Sequence, residues 1–445
     1  MLKSEIQSKQ LKLFGRKKPI PVSVIALLFI FGLAICIRIY FLYLLPHIFQ
    51  WDSLGYYMYL PAQFIYHDVK HLSWFHQIQM NYNLPGDVYQ FHFAKNGNAV
   101  FFYTEGVAIM EFPFFMVADC IAKLVGFNSD GFSFLYQLAI GIGMLCYFII
   151  GIILLRKVLI KFFSDTITAI VLVLICCSTN CLQYISVEAG MTHGYLFLMY
   201  CWMLYLTLKW HESPRIIYSI GIGVIMGLVW SIRITDSIIF LIPLFWNCQS
   251  KENRIEKLNQ IRKNKMHFLW LIIATVIVIF PQLFYWKTTY GNWFFPKGSK
   301  WDFFQPHLLL LFGWEKGWFI YTPIAIFMIL GLFFMRSKPY QIAVLIFVII
   351  NLWIVTAWHD WHYAASYSAR ALMQSLPVFS LPLGVFLDKI YSKNWRWIVL
   401  VVVIYFCFVN IFQIWQYNVG MLRSDGMDRK SYFQIYLQNH SSSFP

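Results

Sequence analysis

The chain has 445 residues, of which 59% are hydrophobic and only 12% charged, a balance that excludes a soluble globular domain of this size. The formal charge of +15 is that of a membrane protein with basic cytoplasmic loops; no nucleic-acid partner is expected. Apolar residues fall in continuous runs of about 20, enough to cross a ~30 Å hydrocarbon core as helices. The runs do not alternate, which excludes a β-barrel. Aromatics, 20% of the chain, gather at the ends of the runs as an interfacial belt requires. The nine cysteines lie mostly inside or at the edges of apolar runs, and no disulfide framework or C-x-x-C pair is visible.

In chain order, residues 1–19 carry Lys12, Arg16, Lys17 and Lys18 and read as a cytoplasmic N-terminal segment. The apolar run that follows is too long for a signal peptide and has no small-x-small cleavage site, so it reads as a retained first helix. Eleven spans are predicted: 20–45, 132–155, 166–187, 193–210, 216–233, 235–248, 268–287, 318–335, 339–358, 371–388 and 397–417. They define an all-α polytopic membrane domain over 20–417, with long loops at 46–131, 288–317 and 359–370 and a tail at 418–445. The segment 101–123 is apolar too, and whether it crosses fixes the orientation of everything after it. If it does not cross, 22 Lys and Arg lie inside and 13 outside; if it does, 16 lie inside and 19 outside. The positive-inside bias favours the non-crossing reading. Glu111, Asp119 and Lys123 recur at multiples of four, the polar stripe of an interfacial helix. This topology puts 14 of the 20 acids and ten of the 12 histidines on the non-cytoplasmic face, so a site is expected there.

Asp52, in Gln50-Trp51-Asp52-Ser53, follows the first span; it reads either as a helix cap or as a proton-accepting carboxylate at a cavity mouth. Glu105, in Tyr103-Thr104-Glu105-Gly106, opens the interfacial helix as a dipole-complementing charge or a second site carboxylate. Glu188 and His193 flank a very short turn between two spans, at a cavity rim or packed among neighbours. Arg38 and Arg233 sit near the ends of apolar runs, where arginine lines a cavity, binds an anion or snorkels. Arg370 opens a span after Tyr367-Ser368-Ala369, and Lys297 lies in an aromatic loop; cations collected on one face suit a phosphate. His359-Asp360-Trp361-His362 is a thin metal motif without further ligands. Trp293, Trp301, Trp314, Trp318, Trp358 and Trp361 are sugar platforms or belt residues. No Walker loop, G-x-G-x-x-G or G-x-S-x-G appears, which leaves a cytoplasmic nucleotide donor unsupported.

Taken in order, these features resemble the GT-C glycosyltransferases that use a lipid-phosphate sugar donor, among them the protein O-mannosyltransferases and the aminoarabinose transferases. The resemblance rests on Asp52 after the first helix, Tyr103 with Gly106, the turn with Glu188, Met191 and His193, the Gly227-Leu228…Arg233 step, Gly317-Trp318-Phe319-Ile320-Tyr321-Thr322-Pro323, and Ser366-Tyr367-Ser368-Ala369-Arg370. Two positions depart from it: Ser53 stands where many relatives carry a second acid, and Ile234 where a proline often follows the arginine. The resemblance implies an inverting transfer from a polyprenyl-phosphate-linked sugar to a glycan, glycolipid or protein acceptor on the non-cytoplasmic face, among membrane lipids. It implies Asp52 as base, with Glu188 or Glu105 in reserve; Arg370, Lys297 or Arg233 on the donor phosphate; and His193, Trp51, Tyr103 and His362 at the sugar or acceptor. No cofactor is required, and a divalent metal remains an open alternative. A multi-pass transporter or a flippase for lipid-linked sugars is the competing class.

Overall fold

The structure is a computed structural model that describes residues 19–44, 47–84, 89–296, 298–391 and 394–439. It is a helical bundle. Helix α1 (Val22–Leu44) leads into a first loop holding α2 (Trp51–Tyr57), α3 (Tyr59–Phe64), α4 (Phe75–Tyr82), a two-stranded hairpin β1 (Phe91–Phe93) and β2 (Ala99–Phe101), and α5 (Gly106–Val125). Then come α6 (Phe134–Leu159), α7 (Asp165–Cys177), α8 (Thr192–Glu212), α9 (Ile216–Ile232), the short α10 (Leu241–Phe245), the basic α11 (Lys251–Lys263) and α12 (Lys265–Thr289). The remainder is α13 (Leu309–Phe312), α14 (Trp318–Tyr321), α15 (Ala325–Leu332), α16 (Gln341–Thr356), α17 (Leu376–Tyr391), α18 (Arg396–Asn418) and α19 (Arg429–Ile435). The hairpin, in which Phe91 pairs with Phe101, is a small β element that the predicted all-α architecture did not contain.

Five helical stretches are long and apolar enough to cross a membrane: Val22–Leu42, Phe134–Leu159, Lys265–Thr289, Arg370–Tyr391 and Arg396–Asn418. Four more of the eleven predicted spans are apolar but shorter, among them Asp165–Cys177 and Gln341–Thr356. The span at 318–335 is split into α14 and α15, because Pro323 has no N–H to continue a helix and the residue before it leaves helical space. The span at 166–187 gives way beyond Cys177 to a π turn, Gln183–Val187, and that at 371–388 begins with a 3-10 turn, Arg370–Ser375. Both irregular turns are buried, which is where such backbone is tolerated at membrane depth.

Burial runs opposite ways on inner and outer helices. Sixteen of the 21 residues of α8 are buried, and 94% of the most apolar stretch of Arg370–Tyr391 is inside the protein. For α12 the figure is 17%, and it presents Ile272, Val276, Ile277, Phe280 and Phe284 outward, as a helix solvated by lipid does. Helix α5 is inverted in the same sense. Its polar stripe faces the protein: Glu111 accepts from the Tyr195 hydroxyl at 2.8 Å and Asp119 from Tyr136 at 2.7 Å, while Phe112, Met116, Val117 and Leu124 are exposed. The predicted polar stripe exists, but protein rather than interfacial water solvates Glu111 and Asp119; only Lys123, paired with Asp119 at 2.7 Å, reaches outward.

Helices α9 and α12 meet through Gly223 and Gly227, four residues apart on one face. A Cβ at Gly223 would lie 2.2 Å from the Leu271 carbonyl oxygen, and the Gly223 carbonyl accepts from Thr275 Oγ1 at 3.0 Å. Gly223→Ala is expected to push the helices apart at a cost of about 1–3 kcal/mol. Thermal melting of the purified protein in detergent checks this: the variant should melt several degrees lower, and an unchanged Tm contradicts the packing.

Candidate active site

The first loop delivers Asp52. Gln50 is the cap of α2 and exchanges bonds with Ser53, its backbone N–H donating to Ser53 Oγ at 3.2 Å, so Asp52 is not needed as a cap. Its carboxylate is turned into the protein instead. Oδ1 accepts from the Tyr103 hydroxyl at 2.7 Å and the Tyr89 hydroxyl at 2.8 Å, and Oδ2 accepts from Arg370 Nη2 at 3.1 Å. Tyr103 reaches Asp52 because position 55 is glycine; a Cβ there would meet the Tyr103 ring at 2.4 Å. Burial alone raises the Asp52 carboxyl, but the Arg370 guanidinium and the two tyrosine hydroxyls outweigh it and hold the group below the ordinary carboxylate value.

Arg370 is delivered by the segment 359–370, whose backbone is left-handed at Tyr363, Ala364 and Ser368, none of them glycine. Two groups hold that course. The fully buried Lys316 donates its ammonium to the carbonyls of His362, at 2.8 Å, and Ala364, and lies 3.4 Å from Asp425. The Tyr184 hydroxyl sits between the N–H and C=O of Tyr367, accepting at 3.2 Å and donating at 3.1 Å.

Glu188 follows the π turn. Its carboxylate accepts from Gln183 Nε2 at 2.9 Å, and Gln183 Oε1 accepts from Asn418 Nδ2 at 2.6 Å. Arg38, buried in α1, donates to the Ser186 and Val187 carbonyls at 3.4 and 3.3 Å; it supports the turn rather than snorkelling. Burial raises the Glu188 carboxyl, opposed by the Gln183 amide and the Arg370 charge. Asp52, Glu188 and Arg370 line one cavity of about 590 Å³, together with Trp51, Tyr89 and Asn418. The exposed Trp51, itself left-handed at φ 49°, stands at its edge.

The other predicted residues lie elsewhere. His193 is buried behind the cavity, with Nδ1 2.9 Å from Gln374 Oε1; Gln374 Nε2 in turn donates to Asp236 at 3.0 Å. Arg233 is 3.6 Å from Asp236 and sits over the Tyr363 ring, so its charge is already answered inside the protein. Neither lines the cavity. Glu105 opens α5 with its N–H bonded to Gln282 Oε1 at 2.7 Å, its Oε1 buried without a partner, and no contact with the cavity. His362 stacks on Trp361 at 3.7 Å between Glu315 and Asp360, also off the cavity. Lys297 lies outside the described residues. His359 joins His307 on Asp302 Oδ2, at 2.8 and 3.1 Å, rather than Asp360 and His362, and no group of three His, Cys, Asp or Glu among the described residues could hold a metal. Trp301 packs edge-on against Trp358 and Trp314 packs on Tyr432, all three tryptophans half-buried, while the buried Trp318 packs on Phe379 and belongs to the core. Sequence reasoning missed Tyr89, Gln183, Lys316 and Asn418, each of which has a partner distant in the chain: Asp52, Asn418, His362 and Gln183.

No family model matches this chain, and no curated protein matches it in sequence. Among solved structures it is similar to the archaeal oligosaccharyltransferase AglB from Archaeoglobus fulgidus, in complex with an inhibitory peptide and a dolichol-phosphate, with a TM-score of 0.48 and 13% identity over 95% of this chain. The chain spans 60% of the length of that protein. At that distance the likeness assigns no residue of the site.

Burial raises the Glu105 carboxyl from 4.5 to about 7. The folded state therefore holds a proton that the unfolded chain has lost between those values, and stability falls as pH rises through that window. Glu105→Gln removes the cost. It should stabilise the protein at pH 8 by on the order of 2 kcal/mol and change little at pH 5. Melting curves at the two pH values check this; an equal shift at both contradicts the buried, proton-holding environment.

Proposed function

We propose that this protein is a membrane glycosyltransferase of GT-C type. It moves a sugar from a polyprenyl-phosphate donor to a hydroxyl of an envelope glycan, lipid or protein on the non-cytoplasmic face, with inversion at the anomeric carbon. One observation carries the reading: the Asp52 carboxylate and the Arg370 guanidinium meet at 3.1 Å in a cavity they share with Glu188. The ordered sequence features that resemble this family supply the reaction class.

The chemistry asks for three things. A leaving phosphate needs cationic stabilisation, and a buried guanidinium offers it in two parallel hydrogen bonds. An acceptor hydroxyl needs a base that takes its proton as the new C–O bond forms. Inversion needs the two on opposite faces of the anomeric carbon. In the free protein they touch, so the pair is a resting state that the donor opens. Arg370 exchanges the carboxylate for the phosphate, and the sugar enters between them. Asp52, ionised while Arg370 and the tyrosines hold its value down, then loses its strongest stabiliser and becomes a better proton acceptor. The acceptor oxygen attacks C1, the C1–O bond to phosphate breaks with its electron pair going to the phosphate, and the proton passes to Asp52. Glu188 closes the far wall and, with its carboxyl raised by burial, is suited to hydrogen-bond a sugar hydroxyl. Tyr103 and Tyr89 keep the Asp52 carboxylate aimed during the exchange.

Asp52→Asn keeps the shape and removes the base. Transfer from an undecaprenyl-phosphate hexose, assayed in nanodiscs, should fall by about 10²–10⁴-fold while the protein still inserts and melts cooperatively. Undiminished transfer by this variant would reject Asp52 as the base.

A further inference from the structure

Helices α7, α17 and α18 leave a cavity of about 470 Å³ at the end of the bundle away from Asp52. Its floor is apolar and buried, formed by Ile167 of α7, Leu387 of α17 and Val403 of α18. Its rim carries Tyr391, Arg396 and Trp397, all exposed. The helical stretch Arg370–Tyr391 runs between the two sites: Arg370 lines the cavity of Asp52, and Tyr391, roughly 30 Å further along, lines this one.

The rim stands at headgroup height. Tyr391, Trp395 and Trp397 are the exposed rings that mark a membrane surface, and beyond them Leu400, Val401 and Ile404 of α18 face lipid. The cavity therefore opens toward hydrocarbon, with one cation at its polar end. Among the described residues Arg396 makes no hydrogen bond and no ion pair; its guanidinium lies 5.3 Å from the centre of the Trp397 ring. Two neighbouring charges are occupied. Asp165, next to Thr166 in α7, accepts from the Ser23 N–H at 3.2 Å and lies 3.7 Å from Arg156, and the Lys389 ammonium sits over the Phe334 ring at 3.7 Å.

We propose that this cavity binds an anionic phospholipid, one acyl chain lying against Ile167, Leu387 and Val403 and the headgroup phosphate bonded to Arg396. The apolar floor takes a chain and the unanswered guanidinium takes an anion, which it can hold through two parallel hydrogen bonds. Charge complementarity selects the lipid, since a zwitterionic headgroup brings its own cation to the same place. The positive-inside bias assigns this end of both helices to the cytoplasmic leaflet, whose surface carries anionic lipid. The two cavities share no lining residue, so the lipid site stands independently of the glycosyltransferase reading.

The test titrates the full chain in detergent with phosphatidylglycerol, or with phosphatidylcholine of the same chain length, and counts bound lipid by native mass spectrometry. The unaltered protein should bind phosphatidylglycerol about fivefold more tightly than phosphatidylcholine. Arg396→Gln should bring the two Kd values to within about twofold of each other. Leu400→Trp fills the cavity from its lipid side and should weaken both lipids roughly fivefold. Arg336→Gln, an exposed cation off the cavity, is the control and should keep the preference. Melting curves confirm that each variant is folded. Equal affinity of the unaltered protein for the two lipids, or a preference that survives Arg396→Gln, overturns the anion site. Undiminished binding by Leu400→Trp overturns the cavity as its location. A dimer that excludes lipid and that Leu400→Trp dissociates gives the groove to a second copy of the chain, which also overturns the proposal.

Discussion

The contact between Arg370 and Asp52 joins residues 318 positions apart and holds together the two halves of the site. Each partner is fixed by its own supports: Asp52 by Tyr89 and Tyr103 against Gly55, Arg370 by a left-handed segment that Lys316 and Tyr184 hold in place. A buried ion pair adds little net stability, because desolvating two charges offsets most of their attraction, whereas stripping one partner leaves a costly lone charge. What the pair provides is a charge arrangement that a phosphate can displace. In the proposed reaction, a donor phosphate would satisfy Arg370 and leave the carboxylate in need of a proton, coupling donor binding to base strength.

That arrangement depends on where the chain places its irregular backbone. In lipid a helix can leave its carbonyls unbonded only where protein supplies donors. The π turn before Glu188 meets Arg38, the segment before Arg370 meets Lys316 and Tyr184, and the short helix α10 ends on Lys257, which donates to three carbonyls. In each case a buried cation donates to backbone carbonyls, and Lys316 lies 3.4 Å from Asp425 as well. The candidate site lies beside two of these breaks.

The sequence made part of this readable. Asp52, Glu188 and Arg370 stand at the ends of apolar runs, where an ionisable residue costs energy unless it is used, and position alone singled them out. Arg233 and His193 satisfied the same rule, yet they lie off the cavity, next to Asp236 and Gln374 inside the bundle, and which polar groups meet is set by packing between distant helices. Glu105 lies off the cavity, its backbone N–H bonded to Gln282, a pairing 177 residues long that local pattern does not carry. Lys316 and Asn418 gave no signal at all: a lysine beside a glutamate and an asparagine at a helix end look like surface residues until the fold closes over them. The helices broken at Pro323 and at the π turn were harder still, since hydropathy reports the length of an apolar run and not the continuity of its hydrogen bonds.

Direct binding of undecaprenyl phosphate, without any sugar, isolates the exchange at the centre of this account. If Asp52 competes with the phosphate for Arg370, then Asp52→Asn should bind the lipid about tenfold more tightly than the native protein, because the fraction of molecules with Arg370 already open scales the apparent affinity. Arg370→Gln should lose most of the binding. Equal or weaker binding by Asp52→Asn, or full retention by Arg370→Gln, would contradict the exchange and the catalytic cycle built on it.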